Sequence, residues 1–169
     1  MLDALLAAYK LKHTARAGWL RVGVQAPESV ASHSWGLSLL VLALLPPELD
    51  RGRALTYATL HDVAESLAGD ITPHDGVSER DKAVLERSAV HELSALGLPP
   101  DLAALWQAYE AQADAEARFV RELDRLDMAI QACCYADRAE VGAFFESAAR
   151  VVRDPALVAL LNQARERAR

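Results

Sequence analysis

The chain has 169 residues, enough for one continuous core and too few for two comfortable ones. Apolar residues make up 52% of it, which excludes a disordered or fibrous chain. A formal charge of -6, from 18 basic and 24 acidic residues, argues against a groove for a nucleic-acid polymer; a small phosphorylated ligand beside a metal and a local arginine stays open.

The opening stretch, MLDALLAAYKLKHTARAGW, lacks the basic-then-apolar order of a signal peptide. Within it Leu2, Leu5, Leu6 and Tyr9 form an apolar stripe of helical period. Residues 13–27, with Gly18, Gly23 and Pro27, read as an irregular connection. A very apolar, buried helix is predicted over 29–45, ended by Pro46 and Pro47. Its longest apolar run falls far short of the roughly 20 residues that span a bilayer, so no membrane role is expected. The next helix is expected from Arg53 to about Ala68, with Gly69 placed to end it.

"DITPHDGVS", residues 70–78, has the Pro, Asp and Gly content of a loop, and Ser78 looks like an N-cap before a helix over 79–96. Residues 101–117 and 118–137 are two helices or one bent helix. "RAEVGAFFESAARVV" continues helically, and Asp154-Pro155 opens a last helix. No segment alternates like a strand, and there is no internal repeat. The expectation is an all-α domain of six to eight helices that takes in residues 1–169 as one unit. Cys133 and Cys134 are adjacent, which makes them poor disulfide partners and suits a reducing, cytoplasmic setting.

No phosphate-binding glycine loop, His-Glu-x-x-His, calcium loop or nucleophile elbow is present. What stands out is a set of polar residues inside apolar helices. His33 lies one turn before Leu37. His61 and Asp62 are adjacent in "LHDVAESLAGD", with Glu65 one turn on and Asp70 at the helix exit. Asp124 lies in "FVRELDRLDMAIQACCYADR". Two imidazoles with two carboxylates make a coherent ligand set for zinc, manganese, cobalt, iron or magnesium. Taken singly, each residue has a bland reading: a core histidine bonded to a carbonyl, a chance dipeptide, a surface acid among arginines. Spacing alone leaves both accounts open.

The stretches "LKHTARAGWLRVGVQAPESVASHSWG", "LHDVAESLAGDITP" and "FVRELDRLDMAIQA" occur in that order between about Leu11 and Tyr135, and together they resemble the signature blocks of the HD-domain hydrolases, most closely their 5'-deoxynucleotidase branch. The resemblance implies a helical HD-domain bundle and one divalent metal ion per chain on His33, His61, Asp62 and Asp124. It implies Glu65 as the residue acting on the attacking water and Asp70 as a further active-site acid. Arg16 and Trp19, in "RAGW", match a segment that contacts phosphate or sugar, with Arg16 offsetting charge on the phosphoryl group. Trp19 is equally able to be a core anchor. His74, just past Asp70, can approach the same pocket.

Two positions depart from the family pattern: Ser32 stands where an acid often precedes the first histidine, and Arg125 stands where a lysine often follows the last aspartate. "CCYA" also replaces a segment that is often acidic. The implied reaction is hydrolysis of a deoxyribonucleoside 5'-monophosphate to nucleoside and phosphate. The alternatives are an HD-type hydrolase of another nucleotide or phosphomonoester, and a helical regulatory or scaffold protein without turnover. The expected partners are a small nucleotide and, by family analogy, a second copy of the chain, with the apolar C-terminal helices offering surface for pairing.

Overall fold

The computed structural model describes residues 1–72 and 74–169; Pro73, within the predicted 70–78 loop, lies outside them. Among the described residues the chain is all helical apart from one isolated antiparallel bridge between Ala15 and Ser29. In chain order the helices are α1 (Leu2–Ala8), α2 (Ala17–Arg21), α3 (Val30–Leu44), α4 (Arg51–Leu60), α5 (Glu65–Ala68), α6 (Glu79–Ala95), α7 (Pro100–Glu110), α8 (Ala115–Tyr135), α9 (Gly142–Ala149) and α10 (Pro155–Arg167), with a 3-10 turn, Tyr9–Lys12, after α1. Eight have seven residues or more, in keeping with the expected six to eight; α2 and α5 are the short additions.

Short polar side chains set the starts of the longer helices. Ser29, Asp50, Ser78, Asp114 and Asp154 each accept a hydrogen bond from a first-turn backbone N–H of α3, α4, α6, α8 and α10. Such a cap is worth about 1 kcal/mol. Asp114 settles the open question over 101–137: α7 ends at Glu110, Gln112 takes a left-handed φ of 50°, and Asp114 restarts the chain as α8. The predicted 13–27 connection also contains the short helix α2.

α8 is the central element. Val120, Leu123, Leu126, Ala129 and Ala132 are wholly buried along it, and it packs on α3, α4, α9 and α10. These helices share the larger core, which includes Trp19, Leu37, Val41, Tyr57, Phe145 and Leu157. A smaller core joins α1, α6 and α7 to the stretch around α5 through Ala4, Val63, Ala64, Val90, Leu93 and Trp106. Tyr57 and Ala58 belong to the first core and Val63 and Ala64 to the second, so His61 and Asp62 fall at the seam between them.

The apolar stripe of α1 faces the opposite way from a core stripe. Ala4 and Ala7 turn inward, where their small size allows close packing, while Leu2, Leu5, Leu6 and Tyr9 are exposed. α3 likewise buries only one face; Trp35 is 69% exposed, with Leu39 and Leu42 beside it at helical spacing. α9 and α10 expose no comparable large apolar residue, so the unpartnered apolar surface lies at the N-terminal half rather than on the C-terminal helices. No helix among the described residues is long and apolar enough to cross a membrane.

Candidate metal centre

The expected single helix through Ala68 breaks where the polar pair sits. His61 still donates its backbone N–H to Tyr57, but Val63, Glu65, Ser66 and Leu67 bond three residues back instead of four. The His61 carbonyl, which a continuous helix would bond to Glu65, accepts the Trp106 indole N–H at 3.0 Å instead. The resulting tightened turn approaches three residues per turn, so residues three apart eclipse. Asp62 and Glu65 therefore face the same cavity. α5 then ends at Gly69, whose φ of 81° suits glycine.

Four of the predicted residues converge. His33 Nε2 lies 3.2 Å from His61 Nε2, 3.1 Å from Asp124 Oδ1 and 3.8 Å from Asp62 Oδ2. His61 Nε2 lies 3.1 Å from Asp62 Oδ2. The far nitrogens are held elsewhere: His33 Nδ1 by Asp127 Oδ2 at 2.7 Å, His61 Nδ1 by the Ala58 carbonyl at 3.0 Å. Each Nδ1 faces only an acceptor and so carries the hydrogen, which leaves each neutral Nε2 presenting a lone pair. Two imidazole lone pairs and two carboxylates aimed at one another repel unless a positive charge sits among them. The donor set thus fits a divalent cation, and His33, His61 and Asp62 form a cluster able to hold one.

Without an ion the carboxylates draw a proton into the same place. Burial and Arg16 pull the His33 pKa down, yet bonds to Asp124 and Asp127 outweigh them and bring it to about 10, so a proton on Nε2 stands where a cation would replace it. Burial would raise both carboxyls, but His61, Arg16 and His33 hold Asp62 below the usual carboxylate range, and Arg125, His33 and His61 do so for Asp124. Glu65 goes the other way: burial first, then Asp62 and Asp70, push it up to about 10. Its Oε2 is buried without a hydrogen-bond partner.

A cavity of about 590 Å³ opens beside this cluster, large enough for a mononucleotide-sized ligand. Arg16, Asp62, Glu65, Asp70, His74 and Asp124 all line it. Arg16, at the N-cap of α2, reaches Asp62 with its Nη1 at 3.2 Å. Asp70 Oδ2 accepts the Ala17 backbone N–H at 2.7 Å and ties the start of α2 to the exit of α5. Trp19 is core as well as wall: it is 2% exposed, stacks on Phe144 and donates its indole N–H to Glu28 at 2.9 Å. His74 is exposed at the rim. A smaller cavity of about 190 Å³ meets the cluster from the side of His61, Lys82 and Arg121.

The sequence reading missed Asp127, Lys82 and Trp106. Asp127 carried a signal, since it stands three residues after Asp124 and shares its helix face. Lys82 and Trp106 come from elements whose placement only the fold reveals. Ser32 is exposed and bonded to the Ser29 hydroxyl at 2.9 Å, away from the cluster.

An HD domain family model matches residues 8–156. The chain is 33% identical to the human 5'-deoxynucleotidase HDDC2 over 96% of its own length and 83% of that protein's. It superposes on the PH0347 protein of Pyrococcus horikoshii OT3 with a TM-score of 0.83 and 30% identity, covering 99% of each chain. A predicted metal-dependent phosphohydrolase from Magnetospirillum magnetotacticum MS-1 gives a TM-score of 0.72 and 30% identity, with 98% of this chain and 91% of that one covered.

Proposed function

The chain belongs to the HD-domain family, and from that premise we propose that it releases phosphate from deoxyribonucleoside 5'-monophosphates. Metal-dependent phosphohydrolase chemistry follows from the family together with the His and Asp cluster; the deoxynucleotide preference rests on the name of the relatives, of which the human protein is one. The observation that carries the reading is the convergence of His33, His61, Asp62 and Asp124, with both far imidazole nitrogens already engaged. We take residues 1–169 as one HD domain.

In this reading the four residues would hold one divalent ion per chain, of manganese, cobalt, magnesium, zinc or iron. When bound, such an ion polarises a phosphoryl oxygen and lowers the pKa of water. The chain supplies the rest. Arg16 places its guanidinium on the phosphoryl oxygens as charge builds on them, a role in which donors are worth most inside a closed site. Asp70 keeps Arg16 in place by holding the backbone of Ala17. Glu65, held protonated first by burial and then by Asp62 and Asp70, would become a carboxylate able to orient the attacking water and take its proton once a bound cation offsets them. Trp19 and Phe144 form an apolar wall for the nucleoside, and His74 closes the rim.

The exposed stripes of α1 and α3 support pairing with a second copy, and the adjacent free cysteines suit the cytoplasm. Replacing Trp35 and Leu39 by aspartate is expected to yield monomers by light scattering; a wild type that is itself monomeric removes the pairing. The function is tested by phosphate release from deoxy- and ribonucleoside 5'- and 3'-monophosphates with several divalent metals. Faster turnover of 5'-deoxynucleotides is expected. Activity confined to cyclic nucleotides, dinucleotides or triphosphates overturns the reading.

A further inference from the structure

We infer that Asp127 is a positioning residue that keeps the hydrogen of His33 on Nδ1, and that the acidic cluster behind His33 is a brace for that imidazole rather than a second metal site. The inference rests on the reading of His33 as a metal ligand. Glu28, His33 and Asp127 stand close enough to hold an ion by themselves, so the cluster has two possible uses. The imidazole has two nitrogens, and its Nε2 already faces His61 and Asp124. An ion behind the ring would take the Nδ1 lone pair. In the neutral ring the hydrogen would then sit on Nε2, which could no longer serve the front cluster. One neutral imidazole cannot donate to both sides.

The rear cluster is built for a hydrogen bond. Asp127 Oδ2 lies 2.7 Å from Nδ1. Glu28 is engaged in another direction: its carboxylate accepts the Trp19 indole, and its backbone N–H donates to the Tyr135 hydroxyl. α3 leaves room for the Asp127 carboxylate with a glycine, at about 1 kcal/mol of helix propensity relative to alanine. A Cβ on Gly36 would fall 2.4 Å from Asp127 Oδ1 and 3.3 Å from its Cγ. Asp127 and Asp124 are three residues apart on α8, so one helix face meets both sides of the same ring. A carboxylate on the far nitrogen orients a ligating imidazole and makes it a stronger donor.

The test is a Zn²⁺ titration against a competing chelator for wild type, Asp127→Asn and Gly36→Ala, with helicity followed by circular dichroism. Asparagine keeps the shape of Asp127 and removes its charge, so a role in packing alone would leave affinity unchanged. We expect one Zn²⁺ per wild-type chain and about 10- to 100-fold weaker binding in Asp127→Asn, with Gly36→Ala weakened in the same direction. Affinity of Asp127→Asn within about twofold of wild type overturns the inference, as do two Zn²⁺ per wild-type chain falling to one in the variant. Nitrogen-15 shifts of His33 in the Zn²⁺-loaded wild type test it without any substitution: a hydrogen on Nδ1 is expected, and a bare Nδ1 overturns it. A wild type that binds no Zn²⁺, Mn²⁺ or Co²⁺ instead removes the metal-centre reading beneath it.

Discussion

The buried cluster beside the 590 Å³ cavity and the opposite wall of that cavity are held by different means. On one side His33 and Asp124 project from α3 and α8, two of the three longest helices, and His61 caps α4; all three are buried, and each imidazole is fixed through its far nitrogen. On the other side Arg16 starts a five-residue helix, Asp70 follows a four-residue one, and His74 stands exposed in the connection to α6. The first side is positioned by core packing, so its geometry is as rigid as the fold. The second is positioned by a few hydrogen bonds between short segments, among them Asp70 to Ala17 and Arg21 to Thr72. Ion binding and substrate handling should therefore separate under mutation.

The largest expected effect is on the rigid side. Asp124→Ala should abolish stoichiometric metal binding, measured by elemental analysis, and reduce phosphate release on the order of 10³-fold or more while the helical spectrum survives. Full turnover by this variant would remove Asp124 from the ligand set. On the loop side Arg16→Ala should lower kcat/KM on the order of 10²-fold with metal content unchanged; a matching loss of metal would erase the contrast between the two sides. Asp70→Ala should cost about tenfold, because it acts through the position of α2. Added to Arg16→Ala it should cost little more, since two residues serving one function are not additive. Fully additive losses in that double-mutant cycle would give Asp70 a role of its own. His74→Ala, at the exposed rim, should stay within about twofold in kcat/KM.

Features governed by local chemistry could be read from the chain. Ser78 and Asp154 start helices where their type and position suggested, and Gly69 ends one. The convergence of His33, His61, Asp62 and Asp124 was legible through the signature blocks rather than through spacing, because it joins residues up to 91 positions apart only after three helices pack. Features created at a distance were hidden. The break at His61 depends on Trp106, which takes a carbonyl 45 residues earlier in the chain. Helical period showed the stripe of α1 but not which way it turned; Ala4 and Ala7 won the inner face by fitting closely. Asp127 was visible as a helical neighbour of Asp124, but its purpose emerges only against Gly36.

The tightened turn between α4 and α5 acts as a phase setter. Its length decides the angle at which Glu65 leaves the chain relative to Asp62, and one residue more or fewer would rotate α5 by roughly 100–120° about its axis. Such a change would keep every side chain named above and still point Glu65 away from the cavity. Along residues 61–64, spacing should therefore tolerate insertion and deletion less well than Val63 and Ala64 tolerate apolar exchange.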